Sequence, residues 1–144
     1  PVAHGDQCRA VGGRYMGDLQ STMNIAASGM QAQGTRLRHV AENLANVDTP
    51  GYRRKYVDFR AHADSNGVTR VETGPVRLDQ SALKSIHDPT HPLADETGRF
   101  DGSNVNTLLE VADSREAQRS YEANLRMFDQ ARQMTSSLLG LLKR

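Results

Sequence analysis

The sequence predicts a mainly α-helical chain with a small extended insert. Long N- and C-terminal helices are expected to pack as an antiparallel coiled-coil-like pair around a short β-containing middle segment. Three observations carry this expectation. Apolar or small residues recur at alternating steps of three and four over residues 19–47, the spacing of a helix with one apolar face. The same spacing returns over residues 105–142. Between the two stretches Gly and Pro punctuate the chain, and the apolar runs shorten to strand length.

A chain of 144 residues makes one domain. We divide it into an upstream or disordered extension (1–15), an N-terminal axial helix (16–47), a middle of turn, short strands and ordered loop (48–103), and a C-terminal axial helix (104–144). Only 37% of residues are hydrophobic and 5% aromatic, with no Trp, so the core must be thin. The apolar surface lies in two stripes, which favours burial against other chains. A net charge of +1 gives no global drive toward nucleic acid or anionic membrane. Cys8 is the only cysteine, so an internal disulfide and a cysteine-based metal site are excluded. No apolar run is long enough to span a bilayer. The N-terminus lacks the apolar middle of a secretory signal, so export would need a route that does not read one.

Residues 1–15 carry no periodicity, whereas Met16 opens a stretch that reads like a natural start. From there the seam runs through Leu19, Met23, Ala26, Met30, Gln33, Leu37, Val40, Leu44 and Val47, with Gln33 the one polar breach. Gly29 and Gly34 each weaken an isolated helix by about 1 kcal/mol relative to Ala. Together with Ala26, Ala27 and Ser28 they leave a thin patch where a second backbone can approach. The helix should stop near Asn46, since Asn tolerates the left-handed conformation that ends helices. Thr49-Pro50-Gly51-Tyr52 has Pro and Gly in type II turn positions. Tyr56, Val57 and Phe59 suit a first strand, Val68 to Glu72 a second, and Val76 with Leu78 a third after the Gly74-Pro75 interruption. Residues 86–104 read as an ordered loop, with four Gly or Pro residues excluding a continuous helix. Asn104 or Asn106 is a candidate N-cap for the last helix. That helix should pack through Tyr121, Leu125, Phe128, Met134 and Leu138 against Leu19, Met23, Met30, Leu37 and Leu44, and against neighbouring subunits.

A search for chemistry returns little. His87, Asp88 and His91 offer ligands within five residues, but a metal needs three or four convergent groups, and nothing else completes a known spacing. The simpler reading is Asp88 as a turn former before Pro89. No nucleophile elbow, phosphate-cradling loop or selected carboxylate pair is present, so we assign no catalytic residue, metal or cofactor. Tyr52-Arg53-Arg54-Lys55-Tyr56 has the local look of a nucleic-acid patch. Over 49–60 three Arg and one Lys stand against Asp58, for +3; over 86–101 Arg99 stands against Asp88, Asp95, Glu96 and Asp101, for −3. Opposite patches favour head-to-tail contact between copies, and such pairs set register more than affinity.

The joint Asn43-Leu44-Ala45-Asn46, followed by Thr49-Pro50-Gly51-Tyr52-Arg53, resembles the N-terminal signature of the bacterial flagellar rod, hook and hook-associated family. Met23 to Met30 is similar to the opening helix of its rod members. Asp88 to Gly98, Asn104-Val105-Asn106 and Ser114 to Asn124 resemble segments of a proximal rod subunit. The compact Asp48-Thr49-Pro50-Gly51-Tyr52 is a form shared with FlgB-type subunits. The resemblance spans Met16 to Arg144. It implies a structural, non-enzymatic subunit that polymerises helically into the drive shaft between motor and hook, as required for motility. It implies export through the flagellar type III apparatus without a cleaved signal peptide, and a place in the rod crossing the periplasm. The implied partners are further copies and the other rod proteins FlgB, FlgF, FlgG and FliE, with no nucleic acid and no membrane span. A basic helical hairpin that binds nucleic acid, and a small metal hydrolase using His87 and His91, stand as the readings from other classes.

Overall fold

The computed structural model describes residues 5–65 and 67–142, with side chains described over 17–65 and 67–141. Helix α1 spans Gly5–Ala45 and helix α2 spans Thr107–Leu142. Between them lie strands β1 (Lys55–Ala63), β2 (Thr69–Leu78), β3 (Ser85–His87) and β4 (Arg99–Asp101). The chain is therefore mainly helical with a small β middle of two separate two-stranded sheets. The extension expected over 1–15 falls outside the residues with described side chains, and from Gly5 its backbone is part of α1.

At 1.5 Å per residue, α1 is a rod of roughly 60 Å. It runs unbroken through Gly29 and Gly34. It ends where expected: the Asn46 amide donates to Glu42 and Asn43 carbonyls, each at 3.2 Å, and the Asn46 side chain donates to the Glu42 carbonyl at 2.8 Å. Thr49 to Tyr52 then forms the turn, with Tyr52 N–H donating to Thr49 C=O at 3.2 Å and Gly51 at φ 73°. Only a residue free of Cβ crowding takes that φ cheaply, which is the reason for Gly after Pro. Helix α2 is capped by Asn106, whose Oδ1 accepts the Leu108 amide at 3.0 Å.

β1 and β2 form one antiparallel hairpin, with Lys55 opposite Leu78 and Ala63 opposite Thr69. The second and third strands expected from sequence are a single strand. The register steps from Val57 opposite Val76 to Phe59 opposite Thr73, so Gly74-Pro75 together oppose Asp58 as a bulge. A bulge leaves one residue outside the ladder, so the missing N–H of Pro75 costs no strand bond. β3 and β4 pair antiparallel inside the segment expected to be an ordered loop, with Ile86 opposite Phe100.

The helices run antiparallel: Gly29 lies beside Asn124, Arg36 pairs with Asp113, and Asn43 bonds to Glu110. The hairpin lies along α1 as well, from Lys55 beside Asn43 back to Val71, whose amide donates to Ser28 Oγ at 3.2 Å. The buried apolar residues are small: Ala26, Ala32 and Val40 on α1, Val105 before α2, and Ala117 and Ala131 on α2. Small side chains let the two backbones come close. A Cβ added at Gly29 would stand 2.7 Å from Asn124 Nδ2, so the thin patch does admit a second helix.

Candidate functional site

The joint is built on Asn43, which is fully buried. Its last-turn position in α1 points its amide at the start of β1. Nδ2 donates to Lys55 C=O at 2.9 Å and to Glu110 Oε2 at 3.0 Å. Oδ1 accepts the Lys55 amide at 2.8 Å and the Tyr52 hydroxyl at 3.1 Å. Both donors and both lone pairs are thus used, the condition under which a buried amide stabilises rather than costs. One side chain ties together α1, the turn, β1 and α2.

Glu110, one turn into α2, is fully buried too. Its other oxygen accepts Arg54 Nε. Arg54 Nη2 continues to Asp113 Oδ2 at 2.8 Å, and Arg36 Nη2 reaches Asp113 Oδ1 at 2.9 Å. The chain Asn43–Glu110–Arg54–Asp113–Arg36 is a continuous polar bracket between the helices. Burial acts to lower the Arg54 pKa, but the Glu110 hydrogen bond and the charges of Glu110 and Asp113 outweigh it, and the guanidinium is held above its ordinary value. A bracket of this kind breaks if one partner is removed, because the other is left charged and dry.

The segments that follow β2 and β4 lock the same joint. Asn104 Oδ1 accepts the Arg54 amide at 2.7 Å, while its Nδ2 donates to Asp79 C=O at 3.1 Å. Arg53 Nη1 donates to Asp79 C=O at 3.1 Å and Ser81 C=O at 3.2 Å. Ser103 Oγ donates to Val47 C=O, and Gly51 N–H to Asp101 C=O at 3.0 Å. Outside the bracket, Glu42 Oε2 meets Lys55 Nζ at 3.2 Å and His39 Nδ1 at 3.3 Å. The His39 hydrogen bond first, then the Lys55 hydrogen bond, hold the Glu42 carboxyl below its ordinary 4.5. Tyr52 is pushed up, chiefly by burial.

Of the residues expected at the joint, Asn43, Asn46, Thr49, Pro50, Gly51, Tyr52 and Arg53 come together here, with Leu44 half-buried and Ala45 exposed at the helix end. Of those expected to pack the helices, Leu19, Met23, Met30, Leu37, Leu44, Phe128 and Leu138 are half-buried, whereas Tyr121, Leu125 and Met134 are 38%, 41% and 47% exposed. The reason is angular. The α2 face turned to α1 is Glu110, Ala117, Asn124, Ala131 and Leu138, seven residues apart, and Tyr121, Leu125 and Met134 flank it. Sequence reasoning missed Glu110, Asp113 and His39. The seven-residue spacing from Ala117 back to Glu110 is the signal that could have found the first.

The basic patch is spent internally: Arg53 on two carbonyls, Arg54 on Glu110 and Asp113, Lys55 on Glu42. His91 stacks on Phe100 with ring centroids 4.0 Å apart, and its Nδ1 accepts the Leu93 amide at 3.2 Å. Asp88 serves the turn, accepting Thr90 Oγ1 at 2.7 Å and the Thr90 amide at 3.0 Å, which lower its pKa. No cluster of three or more His, Cys, Asp or Glu side chains able to hold a metal occurs among the described residues.

Two protein families match the chain: one described as "Flagella basal body rod protein" over residues 23–53, the other as "Flagellar basal body rod FlgEFG protein C-terminal" over residues 96–141. The matched segments hold the two arms of the joint. Relatives named flagellar basal-body rod protein FlgC extend the likeness through the middle. The protein from Agrobacterium fabrum is 44% identical over 89% of this chain and 98% of its own. Those from Escherichia coli O6:H1 and Bacillus subtilis are 33% and 30% identical, each over 85% of this chain and 97% of their own.

Proposed function

Since this chain belongs to the FlgC family of flagellar basal-body rod proteins, we propose that it polymerises helically with other rod proteins into the shaft that carries motor torque to the hook. It is a structural subunit of the basal-body rod, and motility is the process it serves. The interface is heterologous, so that each subunit offers two different faces and the assembly stays open. The partners are further copies and the rod proteins FlgB, FlgF, FlgG and FliE. The subunit reaches the periplasm unfolded through the flagellar type III apparatus, and it has no enzymatic step to perform.

The observation that supports this best is the mismatch between seam and surface. The pair closes on alanine, glycine and asparagine, while Tyr121, Leu125, Met127, Met134, Leu139 and Leu141 stay exposed along α2. A helix with bulky apolar residues on both flanks of a small-residue seam is built to be covered from the side. Knobs-into-holes packing of α1 and α2, of the coiled-coil kind, fits the seven-residue spacing of that seam. The joint residues Asn43 to Asn46 and Thr49 to Arg53 set the angle at which the middle segment leaves the shaft.

The test is incorporation. In cells lacking their own copy, the intact chain should appear in purified basal bodies and restore swimming. Tyr121→Lys with Leu125→Lys should leave the chain expressed and exported but absent from the rod. Normal swimming of that variant would sink the reading.

A further inference from the structure

A cleft of about 230 Å³ opens where α1, the start of β1 and α2 meet. We propose that it seats the 88–98 loop of a second copy of this chain, with Leu93 on its apolar rim and Glu96 against its cations. The inference rests on the rod reading and names one contact within it.

The cleft is a formed site with a polar and an apolar side. His39 is 6% exposed, and its Nε2 is buried with no hydrogen-bond partner among the described residues. Nδ1 of the same ring is committed to Glu42 and Nε2 is closed off from the surface, so the imidazole enters the cleft wall as packing surface. Beside it, Arg36 contributes one nitrogen to Asp113 and Lys55 contributes its ammonium to Glu42, each keeping further N–H groups. Arg36, Arg54 and Lys55 of the cleft wall are ion-paired with Asp113, Glu110 and Glu42, so a loop carboxylate is a second partner for Arg36 or Lys55 rather than a first. Val40, Val57 and Phe59 supply the apolar side, with Phe59 38% exposed.

The loop has complementary features, and among the described residues the hydrogen bonds of 88–98 stay within 88–99. Over 88–98 it carries three carboxylates, Asp88, Asp95 and Glu96, and no Lys or Arg. Asp88 and Asp95 are held ionised by their own turns: Thr90 lowers the first, Thr97 and the Arg99 amide the second. Glu96 is exposed, and Leu93 stands 64% exposed between them. The shape is preset by the His91–Phe100 stack and by Gly98 at φ 72°, where a Cβ would press on Pro89 Cγ at 2.9 Å. A stiff loop loses little freedom on docking. None of its residues lines the cleft of its own subunit. Loop into cleft is a head-to-tail contact, which repeats without closing.

The experiment uses purified basal bodies. One copy carries Cys8→Ser with Lys55→Cys, and a co-expressed second copy carries Cys8→Ser with Glu96→Cys. Mild oxidation should give a crosslinked dimer that neither copy gives alone, and adding Leu93→Asp to the second copy should remove it. Chain present in the basal bodies without that dimer overturns the inference and leaves the rod reading standing. A crosslink to a different rod protein overturns the assignment to a second copy. If the unsubstituted chain itself is missing from basal bodies, the rod reading falls and takes this contact with it. Should the cysteine chains fail to assemble, Glu96→Arg decides: full incorporation and swimming overturn the inference, and loss of incorporation supports it.

Discussion

Asn43 is the residue on which the most depends. Its amide satisfies four groups from three elements. Asn43→Ala leaves the Lys55 backbone, the Tyr52 hydroxyl and Glu110 Oε2 without their partner, although Arg54 still holds the other Glu110 oxygen, and should cost roughly 2–4 kcal/mol in urea unfolding. Asn43→Asp should cost at least as much, since it loses both donors and sets a second carboxylate against Glu110. Asn46 was readable as a helix stop from sequence, because its bonds are local. Asn43 was readable only as part of a motif: its decisive partner lies 67 residues away, and no local pattern marks a pairing at that range. Glu42 gives a pH prediction with a definite sign. Its folded pKa is depressed, so its contribution is present above the ordinary 4.5 and is lost as pH falls below that through the folded value. Lys55→Met should move the Glu42 titration upward, measured by carboxyl NMR, with His39 still holding part of the shift.

At the scale of elements, the glycines of α1 separate two effects that sequence reading confounds. Both lower helix propensity, by about 1 kcal/mol each. Gly34 has nothing within 4 Å of an added Cβ, so Gly34→Ala should stabilise the chain by up to about 1 kcal/mol. Gly29 faces the Asn124 side chain at 2.7 Å, so Gly29→Ala should destabilise, by about 1–3 kcal/mol of overpacking set against the propensity gain. Adding Asn124→Ala should recover most of the loss, a coupling that a double-mutant cycle in chemical denaturation would expose. The existence of both helices and the Thr49–Tyr52 turn was legible because each rests on spacing or on local backbone chemistry. The hairpin was legible in pieces. Gly74-Pro75 reads as a break, and only pairing with β1 shows it as a bulge opposite Asp58. The β3–β4 pair was hidden because three residues per strand carry no alternation to detect.

For the whole molecule, fold class followed from the two periodic stretches, but which flank of α2 meets α1 did not. Bulky residues dominate the stripe, and its three- and four-residue spacing put Tyr121, Leu125 and Met134 against α1 and neighbouring subunits. Close approach of the backbones selects small residues instead, so the bulky ones are left outside the monomer. Tyr121→Lys with Leu125→Lys should therefore cost the isolated chain only about 1 kcal/mol per site, since each is 38–41% exposed, measured by urea unfolding. The narrow seam also has a mechanical meaning. Two rods joined along a thin line resist flexing in the plane containing both axes and yield more readily across it. The hairpin splints α1 between Asn43 and Ser28, and the polar bracket clamps that end. From Ser28 back to Gly17 no strand bond to α1 occurs among the described residues, so that stretch acts like a leaf spring fixed at one end, and a sideways load on it is delivered as a bending moment to the splinted and bracketed part between Ser28 and Asn43.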